Sequence, residues 1–113
     1  MVDRKRELKE KYKQMKQEMG IYIVRCNSNG KCYIGSTPNL KGKINSTRFS
    51  LELGSHPNKE LQKEVQSIGK DAFTIEVLDI LEYDKDETKT DYTEDLEILK
   101  EIWKDKISGS KYL

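Results

Sequence analysis

Gly20-Ile21-Tyr22-Ile23-Val24-Arg25-Cys26 and Lys31-Cys32-Tyr33-Ile34-Gly35 are two β-rich runs joined through Asn27-Ser28-Asn29-Gly30. Asn-Gly is the favoured central pair of a type I′ turn, because both positions take positive φ. A two-residue turn at Asn29-Gly30 sets Ser28 opposite Lys31, Asn27 opposite Cys32, Cys26 opposite Tyr33 and Val24 opposite Gly35. Counting by twos then places Tyr22, Val24, Cys26, Tyr33 and Gly35 on one face, with Ile21, Ile23, Arg25, Cys32 and Ile34 on the other. Cys26 and Cys32 therefore diverge, which argues against a disulfide between them. Gly35 leaves open space on the tyrosine face.

Helical periodicity flanks this hairpin. Upstream, Leu8, Tyr12, Met15 and Met19 form the apolar stripe of an amphipathic helix over residues 3–19, stopped by Gly20. Downstream, Leu40, Ile44, Thr47 and Leu51 recur at helical spacing, entered through Pro38-Asn39 and ended by Gly54. Gly42, Asn45, Ser46 and Thr47 make this helix weakly coded. Asn58 caps a further helix whose Leu61, Val65 and Ile68 face inward until Gly69. Residues 73–81 read as a third strand, with alternation in its first half (Phe73, Ile75 and Val77 against Thr74 and Glu76). An acidic connector over 84–91 leads to a last helix, capped by Thr93 and buried through Leu96, Leu99, Trp103 and Ile107. The expectation is a small α+β domain over residues 20–107. It comprises a three-stranded antiparallel sheet flanked by helices, an added N-terminal helix over 1–19 and a tail over 108–113.

Composition fits one domain. The chain has 113 residues, 36% of them charged and 35% hydrophobic, with a mean hydropathy of −0.85. No apolar run is long enough to span a membrane and the N-terminus is charged, so a cytoplasmic protein without a membrane partner is expected. The formal charge of +1 divides unevenly. Residues 1–72 carry 15 basic and 8 acidic side chains, and residues 73–113 carry 6 and 12. A basic two-thirds followed by an acidic third points to an anionic partner.

The two half-motifs Gly20-Ile21-Tyr22 and Tyr33-Ile34-Gly35, ten residues apart, together with Gly54-Ser55-His56-Pro57-Asn58, resemble the GIY-YIG nuclease superfamily over residues 20 to about 107. The resemblance implies a divalent-metal-dependent endonuclease acting on DNA, using Mg²⁺ or Mn²⁺. It gives Tyr22 and Tyr33 to the site, one of them activating water, and puts His56 beside them. The family's phosphate-binding arginine falls on Lys43, which keeps the charge but loses the planar fork. Arg48 lies about 140° round the helix from Lys43. The family's metal-binding glutamate, three residues before an aromatic, falls on Lys100, which cannot ligate a metal while protonated. Glu97, about one turn earlier, is the remaining carboxylate for the ion.

Arg25, Lys41 and Arg48 are the further candidates for nucleic-acid contact. The N-terminal helix is the one addition that would serve DNA or a protein partner. The competing functional class is a GIY-YIG domain that has lost chemistry and kept binding, as a DNA- or protein-binding regulatory module. A third reading has Lys100 replace the metal's charge.

Overall fold

The computed structural model describes residues 17–107. The chain runs β1 (Met19–Cys26), β2 (Cys32–Thr37), α1 (Leu40–Leu53), α2 (Lys59–Ile68), a single 3₁₀ turn (Lys70–Ala72), β3 (Phe73–Leu81) and α3 (Thr93–Lys106). The strands form one antiparallel sheet in the order β2-β1-β3. The α+β architecture is the expected one. Most of the expected N-terminal helix lies outside the described residues, but its last residue does not: Met19 opens β1 and is buried.

As the central strand, β1 is covered on both faces, and it is apolar at nearly every position for that reason. Tyr22 and Val24 pack with Leu40 and Leu51 of α1 and with Leu61 and Val65 of α2; Tyr33, Ile44, Phe73 and Ile75 close around them. Ile21, Ile23, Cys32 and Ile34 pack on the opposite side against Leu78 and against Leu99, Trp103 and Ile107 of the α3 region. A third group, Met19, Tyr92, Leu96 and Leu81, seals the end of the sheet where β1 begins. Thus α1 and α2 cover the tyrosine face, and α3 covers the other. Both cysteines are buried and free.

The hairpin departs from the expected turn. Tyr22 pairs with Gly35 and Val24 with Tyr33, a slip of two residues from the two-residue-turn register. Asn27, Ser28, Asn29 and Gly30 form a four-residue loop. The Cys26 amide donates to the Lys31 carbonyl at 2.8 Å, and the Gly30 amide to the Cys26 carbonyl at 3.0 Å. Gly30 alone takes the left-handed conformation there, at φ 74°, so the type I′ geometry is absent. Asn29 spends its side chain elsewhere: Oδ1 accepts from the Lys31 amide at 2.9 Å, and Nδ2 donates to Glu64 of α2 at 3.1 Å. The Asn27 amide donates to the Ala72 carbonyl at 2.7 Å, beside β3 rather than β2. A slip of two leaves every side chain on its predicted face, because the strand period is two.

Between Ile21 and Tyr22 the β1–β3 register shifts, from Ile21 opposite Asp79 to Tyr22 opposite Val77. Leu78 is the extra residue of a β-bulge. Before it, Phe73 and Ile75 join the tyrosine face; at it, Leu78 turns to the α3 side. This is why alternation in the sequence fades after Val77. Asp79 then accepts from the Trp103 indole N–H at 3.0 Å, tying α3 to the sheet.

Two helix details also differ from expectation. Ile68 is largely exposed, and Gln62 is buried in its stead. Thr93 is the first residue of α3 rather than its cap; Asp91 Oδ1 accepts from the Thr93 amide at 3.0 Å and its hydroxyl at 2.7 Å. A carboxylate at that helix N-terminus also meets the positive end of its dipole.

Candidate active site

The tyrosine face of the hairpin builds the site. Tyr22 is 1% exposed, and its phenol lies against the Cα of Gly35 on the neighbouring strand. A Cβ at position 35 would fall 2.5 Å from the Tyr22 hydroxyl oxygen and 2.6 Å from Cζ. The space that Gly35 leaves is filled by this ring, so the first half-motif packs into the second. The hydroxyls of Tyr33 and of buried Thr47 on α1 both bear on the Tyr22 phenol. Burial above all, and then Tyr33, push its ionisation well above the ordinary phenol range, so Tyr22 stays protonated.

Tyr33 is half-buried and stands above Tyr22, with ring centroids 6.2 Å apart and planes at 53°. Its other neighbour is His56, edge to face at 5.6 Å and 84°. The loop carrying His56 is held from two sides. Its backbone N–H donates to Gln62 Oε1 at 3.0 Å, while Gln62 Nε2 donates to the Leu51 carbonyl at 3.3 Å. His56 Nδ1 accepts from the Asn58 amide at 3.0 Å, and Asn58 caps α2 through the Leu61 amide at 3.1 Å. Partial burial foremost, and then the Lys43 charge, lower the His56 pKa from its ordinary 6.5. The imidazole is therefore neutral near pH 7, with Nδ1 engaged and Nε2 carrying the proton.

Lys43 is exposed on α1, and its charge reaches His56. Tyr22, Tyr33 and His56 thus lie in succession on one face, with Lys43 within electrostatic reach of His56. The other basic candidates do not join them. Arg25 lies on the α3 face, where its charge bears on Cys32. Arg48 lines a separate cavity of about 480 Å³ with Leu51, Glu52, Lys70 and Phe73, and Lys41 is exposed near the start of α1. Gln62 was not among the expected site residues. Its traces in the sequence are the family-like pair Leu61-Gln62 and its place beside Leu61 on the helix face that Val65 continues.

Glu97 projects from α3 toward the end of β2. Its Oε1 accepts from the Ser36 hydroxyl at 3.4 Å, and its Oε2 pairs with Lys100 Nζ at 2.9 Å. The Lys100 side chain is 21% exposed and that of Glu97 54%. Lys100, foremost, holds the Glu97 carboxyl below the usual carboxylate range. Ser36 follows Gly35 directly, so this ion pair sits one residue from the strand position that Tyr22 covers, on the other side of β2.

A family model described as the GIY-YIG catalytic domain matches residues 18–98. The chain belongs to the GIY-YIG family. Two solved structures of the catalytic domain of intron endonuclease I-TevI share its fold, each with a TM-score of 0.66. One, a point variant, is 21% identical, the match covering 86% of this chain and 93% of that one. The other is 20% identical and covers 84% and 97%. No curated protein matches the sequence significantly.

The two GIY-YIG half-motifs, the residues around them and α3 as far as Ile98 all fall inside the matched span, with Lys100 just beyond it. For the divalent ion that the resemblance implies, Glu97 is the carboxylate at hand. No group of three His, Cys, Asp or Glu side chains gathers to hold a metal among the described residues. An ammonium already occupies the Glu97 carboxylate, and a hard dication seeks free oxygen ligands. These residues are a poor fit to a metal ion.

Proposed function

We propose that this GIY-YIG domain hydrolyses phosphodiester bonds of DNA on its tyrosine face. The observation that carries the reading is the chain of contacts from Tyr22, packed on Gly35, to Tyr33 and on to His56, which feels the Lys43 charge. Protonated Tyr22 acts as a buried hydrogen-bonding post that fixes Tyr33. Tyr33 is the phenol of the pair that meets water. A neutral His56 with its proton on Nε2 donates a hydrogen bond to a phosphate oxygen without having to give the proton up. Lys43 adds a positive charge where charge grows on the phosphate. In the reaction, water oxygen bonds to phosphorus, one P–O ester bond breaks, a water proton leaves to solvent, and the departing oxygen takes one up. The chain's own part is to orient the water, bind the phosphate and hold Tyr33 in place.

A second reading has one observation in its favour. The ion pair of Glu97 with Lys100 at 2.9 Å suits a domain that binds nucleic acid and no longer cuts it. One assay separates the two. Plasmid, linear duplex and single-stranded DNA are incubated with Mg²⁺, Mn²⁺ or EDTA, beside Tyr22→Phe and Lys43→Ala. Nicking by the wild type that both substitutions abolish supports hydrolysis. Salt-steep binding without turnover supports the binding module. Neither cleavage nor binding refutes both.

A further inference from the structure

We infer that Lys100 supplies, from within the chain, the fixed positive charge that meets nucleic-acid phosphate at the open edge of β2, so that this domain engages DNA without a divalent ion. The inference rests on the reading above and adds a second cation to it, on the opposite side of β2 from Lys43.

Three observations carry it. First, Lys100 is positioned rather than free to sweep: its side chain is 21% exposed and held by Glu97 at 2.9 Å, which itself takes the Ser36 hydroxyl. An ammonium has three N–H donors. Glu97 engages one, and its carboxylate aims the others as an orienting partner does. Second, the place is right for a strand of nucleic acid. The strand order ends at β2, so among the described residues no further strand pairs along its outer side. Ser36 and Gly35 are consecutive there, Ser36 meeting Glu97 and Gly35 meeting the Tyr22 phenol. A phosphodiester backbone lying across that edge reaches both faces. Third, the one carboxylate that α3 offers to Ser36 already holds a cation, an ammonium with one positive charge where a dication would bring two. Placing a metal on Glu97 would set a dication beside Lys100 or drive Lys100 out of its pair.

The test is fluorescence anisotropy with a labelled DNA duplex, in EDTA and in Mg²⁺, over a range of NaCl. The wild type is expected to bind equally within about twofold in the two buffers. Lys100→Gln is expected to weaken binding about tenfold and to flatten the plot of log K against log salt by roughly one phosphate contact. Lys63→Gln, an exposed α2 lysine outside the site, removes the same charge and should leave the slope unchanged. Lys100→Glu sets a second carboxylate one turn from Glu97, and it should make binding depend on Mg²⁺ and give Mn²⁺ an uptake measurable by electron paramagnetic resonance. Circular dichroism verifies that each variant is folded; Glu97 is solvated enough to lose its partner without unfolding the helix.

The inference is overturned if EDTA abolishes wild-type binding or cleavage. It is equally overturned if Lys100→Gln matches the wild type in affinity and slope, in which case the assignment of the tyrosine site still stands. A wild type that neither binds nor cuts DNA removes both.

Discussion

Replacing Gly35 by alanine tests the central packing claim, that the second half-motif exists to receive the phenol of the first. The new Cβ would meet the Tyr22 hydroxyl oxygen at 2.5 Å, Cζ at 2.6 Å and Cε1 at 2.7 Å. Ordinary carbon contacts begin near 3.5 Å, so the ring must retreat by about 1 Å. It has nowhere to go. Tyr22 is 1% exposed and is enclosed by Leu40, Leu51, Leu61 and Val65 from two helices. Overpacking of this kind costs about 1–3 kcal/mol, which for a domain this small lowers Tm by roughly 5–20 °C. Thermal unfolding followed by circular dichroism reads the effect. Adding Tyr22→Phe removes the closest atom but leaves Cζ and Cε1, so the double variant should recover only part of the loss. Gly35→Ala with a Tm within about 2 °C of the wild type would refute the reasoning, because the ring would then have room that the geometry denies it.

Gln62→Ala should destabilise by about 1–3 kcal/mol, since it leaves the His56 amide without its partner and the Leu51 carbonyl with only the long 3.4 Å bond from the Gly54 amide; urea denaturation measures it. A proton NMR titration should place His56 below 6.5. Its depressed pKa contributes stability that is fully present above the unfolded value and lost as pH falls through the folded one. The pH-dependent drop in Tm below pH 6.5 should accordingly shrink in His56→Asn. Trp103→Phe removes the 3.0 Å bond to Asp79 and should cost about 1–2 kcal/mol in chemical denaturation.

Much of this was legible in the residues, for reasons that differ by element. Tyr22, Tyr33 and Gly35 share a face in the sequence reading and in the fold, even though the hairpin turn was assigned wrongly, because an even slip of register preserves alternation. The turn itself was not legible. Asn29 is drawn to Glu64, a partner 35 positions away in the chain, and no local rule weighs such a contact against a type I′ preference. The bulge at Leu78 and the burial of Gln62 belong to the same class, since each depends on what lies across from it. At the site, His56 and Lys43 were found through the family's pattern. The meeting of Ser36 with Glu97 depends on how α3 crosses the sheet, which spacing along the chain does not encode.

The placement of β1 between its two partners has a kinetic consequence. On one side it pairs with β2 across a loop of four residues, a closure that chains complete within microseconds. On the other side even its nearest partners, Cys26 and Phe73, are separated by two helices, and the entropy of closing that long loop comes due before any β1–β3 contact returns it. Docking of β3 is therefore the slow event. Substitutions at Ile75 or Val77 should slow refolding, whereas substitutions confined to the acidic connector before α3 should chiefly alter the rate of unfolding.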